Sequence, residues 1–118
     1  MERRLRLRRQ VEFEAAIGGK RVYSGRALIL FAVPNHGPLS RVGVTVSRQL
    51  KGSVQRNRAR RRLRELARIN LLGPDSPLRS LGIRYDVVLI ARPAALTLPF
   101  ADLKSETEQA ALRLSRLN

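Results

Sequence analysis

Arg41-Val42-Gly43-Val44-Thr45-Val46-Ser47 is followed, after a turn at Gly52, by Ser53-Val54-Gln55-Arg56-Asn57-Arg58-Ala59-Arg60-Arg61-Arg62-Leu63-Arg64-Glu65-Leu66-Ala67-Arg68. The hydrophobic period changes between the two segments. In the first, Val42, Val44 and Val46 alternate with Gly43, Thr45 and Ser47, which predicts a strand with one apolar face and one small or polar face. Small side chains on that second face either let another element pack closely or leave a shallow trough open to a ligand. In the second, Ser53 is placed to cap a helix running to about Arg68, and Ala59, Leu63, Leu66 and Ala67 form an apolar stripe at 3.6-residue spacing.

Toward the C-terminus, Gly73, Pro74, Asp75, Ser76 and Pro77 predict a loop. Tyr85 to Ala91 is apolar at almost every position, as a central strand buried on both sides would be, and Pro93 ends it. Thr97 or Leu98 precedes Pro99 at a helix start. Phe100, Leu103, Thr107, Ala110, Leu114 and Leu117 then recur on one face of a long closing helix. Toward the N-terminus, Ala27 to Val33 is an apolar run of strand length, joined to the Arg41 strand by a turn-rich loop that contains Pro34, His36 and Pro38. Phe13, Ala16 and Ile17 have helical spacing within Gln10 to Ile17, and Gly18-Gly19 stops that helix. Lys20 to Gly25 either forms an extra strand or bends into the next one. The predicted fold is an α/β (α+β) sandwich, a small sheet of three or four strands packed with three helices in the order α-β-β-α-β-α. Residues 1–118 form a single domain, with residues 1–8 as a basic arm.

A chain of 118 residues with 43% hydrophobic content suits one core. No apolar run approaches the roughly 20 residues of a membrane span. Met1 to Arg9 does not lead into a secretory signal pattern, and the absence of cysteine excludes a disulfide framework or thiolate metal site. A cytoplasmic location is expected. The net charge of +15 calls for a polyanionic partner, and 21 of the 24 basic residues are arginine, whose planar guanidinium grips phosphate or stacks on a base. Residues 1–68 carry 18 basic against 4 acidic side chains, whereas residues 69–118 carry 6 against 5. The footprint for nucleic acid is therefore in the first part of the chain.

Catalytic groups are scarce: one histidine, in a loop, and nine scattered carboxylates. Glu12 with Glu14, and Glu106 with Glu108 on what reads as an exposed helix face, lack ligand spacing. Asp86 beside Arg84 suggests a structural ion pair. The arginine-rich helix carries the stronger signal. At 100° per residue Asn57, Arg58, Arg61, Arg64 and Arg68 project away from Leu63, while Arg56 and Arg60 lie near the helix–sheet boundary. Like charges four residues apart cost roughly 0.2 to 0.5 kcal/mol per pair, a repulsion that phosphate would relieve. Phe13, Phe31 and the small-faced strand, if they meet, make a trough on which single-stranded bases could stack. Each aromatic taken alone could equally fill the core.

Arg6-Leu7, Phe13, Arg41-Val42-Gly43-Val44-Thr45-Val46-Ser47, Val54-Gln55-Arg56-Asn57-Arg58-Ala59-Arg60-Arg61 and Tyr85-Asp86-Val87-Val88-Leu89-Ile90-Ala91-Arg92-Pro93 together resemble the bacterial ribonuclease P protein family over nearly the whole chain. Three places depart from it: Ile17 stands where many members have a second aromatic, Lys51-Gly52 reverses the usual order, and the Pro34 to Leu39 loop has its own form. The resemblance implies a left-handed β-α-β crossover, against the general preference for right-handed ones. It implies that Arg56, Asn57, Arg58, Arg60, Arg61 and Arg64 contact a catalytic RNA. It further implies that a cleft matched by Arg6, Arg9, Phe13, Ile17, Phe31, Val44 and Ser47 receives the 5′ leader of precursor tRNA. Catalysis would lie in the RNA, with Mg²⁺ held mainly by the RNA and with protein metal ligands unknown. No membrane or small-molecule substrate is expected, and the chain is expected to be monomeric without RNA. The alternative is a basic structural RNA-binding protein such as a ribosomal protein. A helix-turn-helix DNA-binding protein is disfavoured because the basic helix follows a strand.

Overall fold

The computed structural model describes residues 3–117; Met1, Glu2 and Asn118, the ends of the predicted single domain, lie outside the described residues. A 3₁₀ turn at Arg3–Leu5 leads into α1 (Gln10–Ile17), β1 (Lys20–Ser24), β2 (Leu28–Pro34), β3 (Arg41–Val46), α2 (Ser53–Asn70), α3 (Pro77–Leu81), β4 (Tyr85–Ala91), α4 (Ala94–Thr97) and α5 (Phe100–Ser115). The four strands form one sheet in the order β1-β2-β4-β3. β1 is antiparallel to β2 and β2 to β4, while β3 and β4 are parallel. Parallel neighbours need a long crossover, and α2 and α3 supply it. The resemblance concerns the hand of that crossover.

The open question at Lys20 is settled in favour of a fourth strand, which pairs with β2 through a register shift between Arg21 and Tyr23. Two short helices add to the three predicted: α3 begins where the sequence predicted a loop, and α4 lies in a stretch the sequence left unassigned. At α3, the Ser76 hydroxyl accepts from the Leu78 amide at 3.2 Å and donates to the Leu71 carbonyl at 2.8 Å, and Pro77 takes the first helical position. The predicted cap of α2 shifts by one residue. Gly52, with φ of +84°, precedes the first turn and no side chain caps it, so Ser53 is already helical. The turn needs a left-handed φ at Gly52, a conformation glycine reaches without steric cost.

Side-chain alternation gives the sheet two unequal faces. One buries Leu28, Leu30, Val42, Val44, Val87 and Leu89 beneath the stripe of α2 and the Leu103, Ala110 and Leu114 side of α5. Fully burying each such leucine contributes about 1.5–3 kcal/mol. The other face carries a smaller cluster of Leu7, Phe13, Ala16, Val33, Val88 and Ile90, covered only by the arm and α1. Glu106, predicted on an exposed face of α5, is buried instead. Its carboxylate accepts from the Ala27 amide at 3.0 and 3.2 Å, tying α5 to the β1–β2 hairpin. Burial and the adjacent Glu106 push the Tyr23 hydroxyl up to about 12.

Candidate nucleic-acid interface

The thinly covered face is arranged in rows set by strand register. Phe31, Val88 and Gly43 are paired neighbours across β2, β4 and β3, and the next row is Ile29, Ile90 and Thr45. Phe13 descends from α1 onto the first row. A Cβ built on Gly43 would stand 2.5 Å from two of its ring carbons and 3.1 Å from the Leu7 Cβ, so close packing explains the glycine. The second row has no such lid, and Ile29, Ile90 and Thr45 stay half-buried with Ser47 just beyond the strand end. At the usual spacing of strands this strip is about 10 Å wide across three strands. Ile17, on the last turn of α1, is 39% exposed.

Phe31 and Thr45 thus lie on the same face of the sheet, with Phe13 packed over the first row. One predicted member of the trough does not belong to that face. Val44 shares the parity of Val42 and Val46, is 7% exposed, and lies in the main core on the opposite side of the sheet. A period of two cannot place Val44 and Ser47 on one face. Ile29, Thr45 and Ile90, which the sequence left unassigned, stand there instead. Their signal was present in the alternation, but only the pairing of β2 with β4 shows which parity is left uncovered.

An ion-pair network fixes α1 over the sheet. Arg41 Nε and Nη2 donate to the two Asp86 carboxylate oxygens at 3.0 and 2.7 Å, and Nη1 donates to Glu12 Oε2 at 2.7 Å. The partner of Asp86 is thus Arg41 on the neighbouring strand, not Arg84, which is exposed. Glu12 also accepts from the amides of Arg9 and Arg8 at 3.0 and 3.1 Å. Those amides first, and Arg41 after them, hold its carboxyl down to about 2, overcoming the opposing effect of burial. Arg9 therefore starts α1 with its side chain exposed beside the arm.

The arginines of α2 divide into three groups. Arg56 is turned inward: Nη1 donates to the Ser47 and Leu50 carbonyls at 3.1 and 3.0 Å, locking the end of β3 to the first turn of the helix. Arg62 likewise donates to the Ala95 and Leu98 carbonyls at 2.6 and 2.8 Å. Asn57, Arg58 and Arg61 face outward along a shallow hollow of about 500 Å³, and Arg58 and Arg61 have no ion-pair or hydrogen-bond partner among the described residues. Arg60 reaches Asn57 Oδ1 at 2.8 Å.

Arg64 is half-buried, and burial together with the charges of Arg6 and Arg60 lowers its pKa. Arg6 Nε is buried without a hydrogen-bond acceptor among the described residues. The arm and α2, expected to serve separate ligands, thus come close enough for the Arg6 charge to act on Arg64, and no carboxylate among the described residues is ion-paired with Arg6, Arg60 or Arg64. A second basic hollow, of about 510 Å³, is lined by Arg3, Arg6, Arg8, Arg9 and Arg41, and its single acid, Glu12, is already engaged. Among the described residues no group of three His, Cys, Asp or Glu side chains could hold a metal ion. The carboxylates nearest the trough, Glu12 and Asp86, are committed to Arg41, so these residues do not fit a protein-held Mg²⁺. No helix of the described residues is long and apolar enough to cross a membrane.

The sequence pattern of the Ribonuclease P family matches residues 1–115. The chain belongs to the ribonuclease P protein family. The Ribonuclease P protein component of Dehalococcoides mccartyi is 38% identical over 101 residues, covering 84% of this chain and 75% of that one. The corresponding component of Symbiobacterium thermophilum is 36% identical over 110 residues, covering 92% and 90%. The fold is that of a solved mutant of the Staphylococcus aureus RNase P protein, with a TM-score of 0.75, 22% identity, and coverage of 98% and 92%. Membership in the ribonuclease P family assigns the chain the role of an RNase P subunit, in tRNA processing within a ribonucleoprotein, and RNA is its partner. The ribosomal-protein alternative is not favoured.

Proposed function

We propose that this subunit does no bond-breaking itself and instead holds two RNAs in register: a catalytic RNA on the outer face of α2, and the 5′ leader of precursor tRNA in the trough. The observation that carries the proposal is the junction of Arg6 with Arg60 and Arg64, which joins a cationic helix, whose one acid Glu65 is paired with Arg68, to a half-buried apolar strip of sheet. Guanidinium groups at Asn57–Arg61 and at the junction meet phosphates, which position RNA without reading its sequence. Phe13, Phe31 and Ile29 offer stacking surface to unpaired leader bases, with Thr45 and Ser47 leaving the backbone room. Arg9 and Arg41 border the strip. Arg56 serves by holding α2 against β3.

In this scheme Mg²⁺ bound by the RNA activates the attacking water, and the protein contributes leader affinity and screens phosphate repulsion. A cytoplasmic particle with one copy of the free protein as its building block fits the same scheme. Reconstitution tests it. Added to a bacterial ribonuclease P RNA at low Mg²⁺, the protein is expected to increase precursor-tRNA cleavage, while the protein alone cuts nothing. Absence of stimulation, or cleavage by the protein without RNA, would refute the scheme.

A further inference from the structure

A third hollow lies at the far end of α2, away from both the trough and the Asn57–Arg61 face. Its volume is about 560 Å³, within the range of roughly 300–1,000 Å³ common to ligand sites. Half-buried Leu39, Leu72 and Ile83 supply apolar wall. Arg4, Arg68, Arg79 and Arg84 line the same hollow, and no acidic residue among the described residues does. The adjoining hollow of about 460 Å³, which shares Arg68, Gly73 and Pro74 with it, differs in this respect and contains Asp75 and Glu108. Arg84 is exposed without a partner among the described residues, and Arg79 makes only a 3.5 Å contact to the Leu72 carbonyl. Arg68 is paired with Glu65 at the surface.

An inorganic anion would not need the leucine and isoleucine wall, and an apolar ligand would gain nothing from four arginines. A flat base joined to a phosphate uses both. The hollow adjoins the basic hollow of the arm and lies on the same helix as the Asn57–Arg61 face. Arg68 lies eleven residues beyond Asn57 on the same helix, roughly 16 Å at the α-helical rise. Arg4 lines both this hollow and the basic hollow of the arm.

Granted that α2 carries the catalytic RNA, as proposed above, we propose that this hollow captures one unpaired nucleotide of that RNA. Its base is turned out against Leu39, Leu72 and Ile83, and its phosphate lies between Arg79 and Arg84. The site anchors the RNA beyond the end of the arginine-rich face and fixes its register along α2.

The test uses the full-length protein and the catalytic RNA. Arg79→Ala combined with Arg84→Ala alters two exposed side chains and should leave the melting temperature unchanged. The double variant is expected to bind the RNA about tenfold more weakly, with a salt dependence shallower by about one. Chemical probing should reveal one unpaired nucleotide shielded by the wild-type protein and released by the double variant. In the assembled holoenzyme, affinity for the leader should not change. Arg58→Ala, measured alongside, separates the two ways of failing. If Arg58→Ala weakens RNA binding and the double variant does not, the hollow has no nucleotide and the role of α2 stands; if neither has an effect, the role of α2 falls and the hollow falls with it. Loss confined to leader-bearing substrate would make the leader the occupant. Self-association of the free protein that the double variant abolishes would make it a second copy. Either result would overturn the proposal.

Discussion

Gly43 and Phe13 form one unit, because the ring occupies the space that any side chain at position 43 would need. Gly43→Ala should lift the ring from the sheet and weaken binding of leader-bearing precursor tRNA to a degree like Phe13→Ala, about 1–3 kcal/mol if one base loses its stacking partner. The double variant should add little to either single one. Affinities measured with and without a leader would check this, and additive losses would mean that the two positions act independently. Val44 shows what the sequence did and did not reveal at this scale. The alternation of Val42, Val44 and Val46 with Gly43, Thr45 and Ser47 already separates Val44 from Ser47, yet the family pattern groups them. Ile29 and Ile90 were invisible for another reason: each sits in an apolar run, and only pairing between strands about sixty residues apart determines which alternate positions remain uncovered.

Along α2, equal charges have unequal duties. Arg56 and Arg62 satisfy backbone carbonyls of the turn after β3 and of the α4 region, whereas Arg58 and Arg61 have no hydrogen-bond or ion-pair partner among the described residues. Arg56→Ala is therefore expected to lower unfolding stability by about 1–3 kcal/mol, because partly buried carbonyls lose a charged donor. Arg58→Ala and Arg61→Ala should stay within about 0.5 kcal/mol of wild type and instead flatten the salt dependence of RNA binding, by about one per lost phosphate contact. Urea unfolding and salt titration give the two readouts; a destabilised Arg58→Ala with an unchanged salt slope would reverse the assignment. The stripe Ala59, Leu63, Leu66 and Ala67 was legible because its period is local. The partners of Arg56 and Arg62 were not, since the latter lie more than thirty residues away. At α3, the Ser76-Pro77 start signal was present, but five residues are too few to show a period.

At the scale of the molecule, Arg41 binds together the arm, α1, β3 and β4 through Glu12 and Asp86. Glu12 is held down to about 2, against an ordinary value of 4.5. A carboxyl depressed in the folded state favours folding fully above its unfolded value and loses that contribution as pH falls through the folded one. Stability should thus decline between about pH 4.5 and 2, and Glu12→Gln should start lower and show a flatter acid limb in denaturant titrations at stepped pH. A variant as steep as wild type would rule Glu12 out as the responsible group. The uneven charge of the two parts of the chain was readable in the sequence; this network was not, because Asp86 pairs with a residue 45 positions away rather than with neighbouring Arg84.

The arm has one more bearing on the molecule. β3 is a marginal strand of the sheet, and the Leu7 amide bonds to the Val42 carbonyl at 3.0 Å where Arg6 bridges Val42. That short seam shields part of a rim whose unsatisfied amides and carbonyls would otherwise invite a strand from a second molecule to add on, the first step toward aggregation. A polypeptide trimmed back to Arg8 would surrender more than arginines: it would leave a bare template for insoluble stacking.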